Sequence, residues 1–263
     1  MTEREPQVAA VYQSDEYLRR FPDAFREDTA WKLSKIRPLL DLWVLGLPAG
    51  QRQVSVLEVG GGAGLVLRGA AEYLRDRHGL AVAKQALELS PGMLALQREN
   101  NPDLVGAYQE DIARTSLGDK GIDLVLLIDV LEHLSDPAGA LAELRRIGRY
   151  VLFKVPLEAH WATRLSNVLN RGQTRRRLAQ GLGHVNLYTA ATLRRQIERH
   201  LGPVRHFRYA NAFAYAQSRA DLRAGLNGWL RRLNRFCAAV HPVWPGLASR
   251  FYTDFALVLA ACG

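Results

Sequence analysis

The segment VLEVGGGAG at residues 56–64 most constrains how this chain can fold. An apolar run ends at Glu58 and Val59, and three consecutive glycines follow, so the chain turns where no side chain can be accommodated. A helix-like stretch begins directly after Gly64. A strand that enters a helix through such a turn brings backbone N–H groups against a ligand. The segment therefore predicts a ligand-binding turn at the end of a central strand.

Strand-like and helix-like stretches alternate around this turn. The predicted strands span residues 54–59, 83–89, 105–111, 123–129, 150–155, 204–210 and 251–261. The predicted helices span residues 12–21, 27–46, 64–77, 91–100, 137–147 and 219–240. This alternation predicts an α/β fold with a Rossmann-like, seven-stranded, mostly parallel sheet flanked by helices. Ligands bind at the carboxyl ends of the strands in such sheets.

The length of 263 residues and the apolar content of 48% predict one substantial core with additions. Residues 1–50 are predicted to form an N-terminal helical cap, and residues 51–263 the Rossmann-like domain. Within it, an arginine-rich insertion at 157–185 follows the fifth strand, and we expect it to recognise substrate. No stretch approaches the roughly 18 apolar residues of a membrane span, and no leader-like start is visible, which predicts a cytoplasmic protein.

The spacing of the glycines excludes two common nucleotide-binding turns. The dinucleotide pattern G-x-G-x-x-G would need its third glycine at Leu65, and the phosphate-loop pattern would need a lysine where Ala70 stands. What remains is an acid followed by glycines at alternate positions, beginning at Glu58.

This acid-x-G-x-G-x-G pattern resembles the first motif of the class I S-adenosylmethionine-dependent methyltransferases. The resemblance implies S-adenosylmethionine as cofactor and S-adenosylhomocysteine as product. It places Glu58 near the cofactor amino group, where a carboxylate suits an ammonium beside a sulfonium. The turn that approaches the methionine portion consists of Gly60, Gly61, Gly62 and Gly64.

Three later segments extend the resemblance over about residues 54–156. ALELSPGML at 86–94 resembles the segment whose acid binds the ribose hydroxyls, which points to Glu88. YQEDIARTSL at 108–117 resembles the segment whose acid meets the adenine amino group, which points to Asp111. IDLVLLIDVLEHLSDP at 122–137 resembles the fourth-strand segment. The other cofactor contacts that these matches imply are Leu89, Met93, Ile112, Asp129 and Val130.

Two histidines are candidates for general base. Methyl transfer proceeds by in-line displacement at an activated carbon, so positioning of the acceptor and exclusion of water can supply much of the rate acceleration. A general base helps when the acceptor is a hydroxyl. His133 follows the fourth strand and should lie at its ligand-binding end, although a structural or cofactor-positioning role fits this segment equally. His184, in GHVNLY, is expected to face the acceptor or to cap a turn.

Other residues are candidates for acceptor binding. Tyr12 and Tyr17 offer an aromatic cover, although aromatics at helical spacing more often serve as packing. Lys154 and His160 follow the fifth strand, and Arg175 lies where a guanidinium suits an acidic acceptor. No metal site is expected, and two cysteines are too few for one.

The positive charge is concentrated in one segment. Residues 160–235 contain 15 arginines, no lysine and two acids, a net charge of +13 within a chain of +9. Such a segment suits an anionic partner or forms a solvated face. The predicted helix 219–240 could rest on an anionic membrane as a peripheral contact, but we expect its apolar side to face the core.

We therefore expect a methyltransferase acting on a small-molecule acceptor, with oxygen favoured over nitrogen or carbon, on a sugar, natural-product or lipid-linked intermediate. RNA methylation is an alternative, but nucleic acid is disfavoured because IDVLEH stands where a D-P-P-Y segment would be. A non-catalytic cofactor-binding partner protein is a further alternative. A monomer and a homodimer are both compatible with the sequence.

Overall fold

The computed structural model describes residues 28–219, 222 and 228–263. Its strands are β1 (Gln53–Val59), β2 (Ala81–Leu87), β3 (Gly106–Tyr108), β4 (Ile122–Ile128), β5 (Gly148–Leu157), β6 (Val204–Tyr209) and β7 (Asp254–Ala261). Its first helices are α1 (Thr29–Leu45), α2 (Leu65–His78), α3 (Pro91–Asn100) and α4 (Pro137–Ile147). The later helices are α5 (Trp161–Leu169), α6 (Gln173–Arg177), α7 (Ala190–His200), α8 (Ala212–Ser218), α9 (Gly228–Val240) and α10 (Pro245–Phe251).

The strands form one sheet in the order β3-β2-β1-β4-β5-β7-β6. The first five strands are mutually parallel, and β7 pairs antiparallel with both β5 and β6. The predicted seven-stranded, mostly parallel sheet is confirmed. β1 is an interior strand, third in this order and next to the central β4, so the glycine turn opens within the carboxyl edge of the sheet.

Two helical layers cover the sheet, and alternate strand residues point into them. Val56 and Leu126 pack with α1 and α2 on one face, whereas Leu57 and Leu127 pack with α4 and α7 on the other. Strands buried on both faces read as continuous apolar runs, as VLLI in β4 does.

The predicted helix 27–46 corresponds to α1, which packs Ile36, Leu39 and Trp43 into the core beside α2. Within the described residues it therefore belongs to one covering layer of the sheet. The predicted helix 12–21, with Tyr12 and Tyr17, lies outside the described residues.

Two predicted boundaries near the C-terminus are wrong. The strand predicted at 251–261 begins at Asp254, because residues 245–251 form α10 with Pro245 in its first turn. The helix predicted at 219–240 does not begin at Arg219, which has an extended backbone and ends α8. Its second half is α9.

The expectation that the apolar side of this helix faces the core holds only in part for α9, where Leu233 and Cys237 pack with Phe213 and Ala248. Asn234 and Cys237 are its buried residues, whereas Trp229 and Phe236 are 61% and 53% exposed. An amphipathic pattern shows which side chains share a face, not what covers that face. Among the described residues, the helices are all too short or too polar to cross a bilayer.

Candidate active site

The turn between β1 and α2 accepts only glycine at several positions. Gly60, Gly62 and Gly64 have φ of +62°, +56° and +73°, in the left-handed region. A Cβ on Gly60 would lie 2.9 Å from Cγ2 of Val130, and one on Gly61 would overlap the side chain of Glu58. The backbone is therefore held close to both β1 and the β4 turn.

Glu58 lies beneath this turn as a buried acid. It is 1% exposed, and both carboxylate oxygens lack a hydrogen-bond partner within the described residues. Burial raises its pKa to about 8. A buried acid with two unused oxygens fits a cationic ligand group, such as an ammonium, which would satisfy both oxygens and favour the ionised form.

Glu88 follows β2 directly and is also buried. Its Oε1 accepts hydrogen bonds from the backbone N–H of Leu89 at 2.9 Å and of Ser90 at 3.3 Å, which fix the carboxylate at the strand end. Burial raises its pKa. Ser90 caps α3 by accepting from the N–H of the buried Met93.

Asp111 lies beyond β3, because that strand ends at Tyr108. Its side chain is exposed, and Oδ1 accepts from the N–H of Ala113 at 2.9 Å. Ile112 is 4% exposed and packs into the core beneath the carboxyl edge. Contact of these two residues with an adenine ring stays a prediction.

Asp129, at the end of β4, is held between two lysines. Lys154 of β5 donates to its Oδ1, and Nζ of Lys32 on α1 lies 3.1 Å from its Oδ2. Burial opposes ionisation, but the two cations keep the pKa of Asp129 below its usual value. Asp129 also has a φ of +57°, which turns the chain sharply into the following 3₁₀ turn, Leu131–His133.

Lys154 is 1% exposed, and burial lowers its pKa despite the attraction of Asp129. Its Nζ lies 3.7 Å from the ring centroid of Phe255. The structure thus places Lys154 in an ion network within the chain, and its contact with an acceptor stays a prediction.

The two histidines predicted as catalytic lie together. The rings of His133 and His184 are 4.8 Å apart between centroids and make an edge-to-face contact. Nδ1 of His184 lies 2.7 Å from Oε2 of Glu158, and Nδ1 of His133 lies 3.1 Å from the carbonyl oxygen of Gly183. Because a carbonyl only accepts, Nδ1 of His133 carries its proton in this contact, and the neutral ring keeps its lone pair on Nε2.

The environments of the two rings differ. Burial, followed by the proximity of His184, lowers the pKa of His133 to about 4, so it is neutral at physiological pH. His184 has a carboxylate partner that can balance a positive charge on its ring. Both side chains remain partly accessible, at 16% and 14%.

GHVNLY is attached to the 3₁₀ turn by backbone bonds. The N–H groups of Val185 and Asn186 both donate to the carbonyl of Glu132 at 3.0 Å, and Nδ2 of Asn186 donates to the carbonyl of Leu134 at 2.7 Å. These bonds hold His184 beside His133.

Four polar residues near the site did not emerge from the sequence. Lys32 lies on an amphipathic helix and meets Asp129 only in the folded chain. Glu132 and Tyr188 are buried, with Oε2 and the hydroxyl lacking partners within the described part of the chain. Burial and the nearby Asp129 raise the pKa of Glu132 well above its usual value. Glu158 directly follows the apolar strand segment FKVPL, and the only indication of a role in the sequence is this position of an acid at a strand end.

Glu132, His133 and His184 each offer a ligand atom, and these atoms lie within 4.8 Å of one another. Among the described residues, no other three His, Cys, Asp or Glu side chains lie this close together. The expectation of a site without metal stays a prediction.

The remaining predicted acceptor contacts, His160 and Arg175, have no hydrogen bond or ring contact with the histidine pair within the described residues. His160 caps α5, accepting from the N–H of Thr163, and its Nε2 lies 2.9 Å from Oγ1 of Thr253. It is buried, which lowers its pKa to about 4. Arg175 is exposed on α6. Their roles toward an acceptor stay predictions.

A methyltransferase-domain family model matches residues 15–200, more than two thirds of the chain. This chain belongs to the class I S-adenosylmethionine-dependent methyltransferase family. Among curated proteins it is similar to a dTDP-3-amino-3,6-dideoxy-alpha-D-glucopyranose N,N-dimethyltransferase of Streptomyces fradiae, at 33% identity over 116 residues. That match spans 44% of this chain and 42% of the enzyme, so the chain aligns with less than half of its relative.

Two solved structures show the shared fold. The geranyl diphosphate C-methyltransferase of Streptomyces coelicolor A3(2) has a TM-score of 0.54 and 9% identity, covering 86% of this chain and 79% of its own. The cyclase SpnF has a TM-score of 0.53 and 15% identity, covering 86% and 81%. At these identities the likeness concerns the fold alone, which hosts different chemistries.

The site of this methyltransferase-family chain fits S-adenosylmethionine, the family's cofactor. Glu58, a buried carboxylate without a hydrogen-bond partner in the described residues, would meet the ammonium, and the glycine turn would present backbone rather than side chains to the methionine portion. Glu88, at the neighbouring strand end, would accept from the ribose hydroxyls. When bound, the cofactor supplies a methyl group already activated by its sulfonium.

Proposed function

We propose that this chain transfers the methyl group of S-adenosylmethionine to a small-molecule acceptor, with a hydroxyl oxygen as the favoured nucleophile. Glu58 and Glu88 hold the cofactor, and the glycine turn keeps its methionine portion against the backbone. The proposed acceptor is a sugar, natural-product or lipid-linked intermediate. The family membership and the buried acids at the carboxyl edge of the sheet support methyl transfer, and the partial match to a sugar-nucleotide enzyme supports the acceptor class.

One observation carries the mechanism, the contact of His184 with both His133 and Glu158. The acceptor oxygen forms a bond to the methyl carbon while the carbon–sulfur bond breaks, and its proton passes to a base. We assign that base to His184, because the Glu158 carboxylate stabilises the imidazolium formed. His133 is a poor base, since burial lowers its pKa to about 4, and it positions the ring of His184 by packing against it.

Methylation of nitrogen is the second candidate. The Streptomyces fradiae relative is an N,N-dimethyltransferase of an amino sugar nucleotide. An amine acceptor attacks as the neutral base and loses a proton after transfer, so the same histidine pair serves it. The two candidates differ in whether a hydroxyl or an amine acceptor is turned over.

The test measures release of S-adenosylhomocysteine by the full chain with paired acceptors that differ only in carrying a hydroxyl or an amine on a deoxysugar nucleotide. Turnover should require an acceptor and should fall about 100-fold in His184→Gln and about tenfold in Glu158→Gln, with cofactor affinity retained by calorimetry. His206→Gln, on the edge strand β6, is the matched control and should keep the wild-type rate.

Three results would contradict the proposal. No detectable cofactor binding at millimolar concentration would reject the enzyme. An unchanged rate in His184→Gln would remove it as the base. A higher rate with the amine than with the hydroxyl would replace oxygen by nitrogen as the acceptor atom.

A further inference from the structure

The helix α5 presents an apolar face that no part of the described chain covers. None of its nine residues is buried. Its large apolar residues fall at spacings of four, three and one, so they share one helical face. These are Trp161, Leu165, Val168 and Leu169, exposed by 69%, 57%, 75% and 76%. A side chain of this kind gains from being buried, so this face is built to contact something else.

Two neighbouring helices extend the same surface. α10 contacts both α5 and α9, and Phe236 of α9 meets Phe251 of α10 with ring centroids 6.3 Å apart. Further exposed apolar residues are Trp229 on α9, Leu247 on α10, and Val243 and Trp244 between these two helices. We call the exposed side chains of α5, α6, α9, α10 and residues 241–244 the basic apolar face. It holds ten of the 13 large hydrophobic side chains that are exposed in the described residues.

The charge on the same elements is entirely positive. Residues 159–189 and 228–253 contain neither an acid nor a lysine. Their exposed arginines near the face are Arg164, Arg171, Arg175, Arg176, Arg177, Arg231, Arg232, Arg235 and Arg250. No acid within the described residues pairs with these nine exposed guanidinium groups, so together they favour an anionic partner.

The chemistry of this face selects among possible partners. A second copy would bring nine like charges against nine, which opposes self-association. A nucleic acid would pair with the arginines but would leave the aliphatic side chains of α5 exposed. An anionic bilayer satisfies both components, because its headgroups pair with arginine while tryptophan, leucine and phenylalanine enter the boundary with the acyl chains.

We propose that the basic apolar face docks this protein on the surface of an anionic lipid bilayer. This goes beyond the methyl transfer proposed above and does not depend on it. α5 begins just after β5, and α10 ends just before β7, whose Asp254 pairs with Leu157. The docking face therefore adjoins the carboxyl edge of the sheet, where the candidate site lies.

The experiment is sedimentation of the full chain with vesicles, without any activity readout. Vesicles of phosphatidylcholine alone are compared with vesicles containing about 30% phosphatidylglycerol. We expect at least about tenfold stronger binding to the anionic vesicles, reduced by 0.5 M NaCl, with a blue shift of tryptophan fluorescence.

Two variants test the two components of the face, each with a matched control. Val168→Glu should weaken vesicle binding at least about fivefold, whereas Val105→Glu, equally apolar and 67% exposed outside the face, should not. Replacing Arg175, Arg176 and Arg177 together by Gln should also weaken vesicle binding at least about fivefold. Replacing Arg52, Arg77 and Arg199 together by Gln, which removes the same charge outside the face, should weaken it less. Circular dichroism and thermal midpoints establish that all variants are folded.

Several outcomes would overturn the proposal. Equal affinity for neutral and anionic vesicles would do so, as would equal losses in Val168→Glu and Val105→Glu. If Val168→Glu converts a dimer to a monomer by sedimentation velocity and the wild type does not bind vesicles, the face joins two copies. If the wild type binds RNA but not vesicles, the partner is nucleic acid.

Discussion

Nζ of Lys32 lies 3.1 Å from Oδ2 of Asp129, which joins the first described helix to the end of β4. Lys154 engages the other oxygen of Asp129, so one carboxylate balances two cations. Asp129→Asn should destabilise the protein by about 3 kcal/mol, because it leaves the fully buried Lys154 without its counter-charge, whereas Lys32 keeps Asp28 at 3.3 Å. Asn tolerates the left-handed backbone at this position, so the loss reports charge.

Lys32→Met is the companion variant, because it leaves Asp129 paired with Lys154. Urea unfolding should show a loss of at most about 1 kcal/mol for Lys32→Met. Equal losses in the two variants would show that the network is not held by the central carboxylate.

Glu58→Gln should make the fold more stable and should weaken cofactor binding. The pKa of Glu58 is raised to about 8 by burial, against 4.5 in the unfolded chain, so between these values the folded state holds a proton that the unfolded state lacks. The stability contributed by Glu58 therefore falls as pH rises from about 4.5 to about 8. Glu58→Gln avoids that loss, so its advantage in stability over wild type should grow with pH and reach a few kcal/mol by pH 8, measured by urea unfolding at pH 5 and pH 8.

The same variant should bind S-adenosylmethionine at least about tenfold more weakly by calorimetry, because the ammonium loses its carboxylate. Glu99→Gln, an exposed acid on α3, is the control. Unchanged cofactor affinity in Glu58→Gln would remove Glu58 from the cofactor site.

Gly61→Ala should abolish cofactor binding, because its Cβ would overlap the side chain of Glu58 and displace the buried carboxylate. Gly118→Ala is a matched control, since a Cβ there meets no atom within 4 Å. Calorimetric titration of both folded variants gives the comparison. Retained cofactor affinity in Gly61→Ala would show that the turn does not need its close approach to Glu58.

His160→Asn should reduce sensitivity to acid. Burial lowers the pKa of His160 to about 4, below the ordinary value of 6.5, so between these values the unfolded state binds a proton that the folded state refuses. Its contribution to stability is therefore lost as pH falls from about 6.5 to about 4. Asn keeps the cap of α5 without titrating, and His206→Asn is the control. Urea midpoints at pH 6.5 and pH 4.5 measure the difference, and an equal drop for both variants would contradict it.

The sequence predicted the parts of this molecule that depend on neighbours in the chain. The alternating strands, the glycine turn and the acids Glu58 and Glu88 at successive strand ends follow from local patterns. Lys32 and Glu158 act through partners that lie far away along the chain, and no spacing rule reveals such pairs. The exposed side of α9 was mistaken for a core face, because periodicity is the same whether a helix packs on protein or on another surface.

The helices of the basic apolar face include α5 and α6, which lie in a chain excursion closed at its base by two residues of the site. Glu158 precedes the excursion, His184 follows it, and their side chains are bonded, while the N–H of Ala159 donates to the carbonyl of Tyr188. The two ends of the excursion are thus fixed to each other independently of the residues between them. A change of sequence or length within the excursion should therefore alter the docking face while the Glu158–His184 contact stays in place.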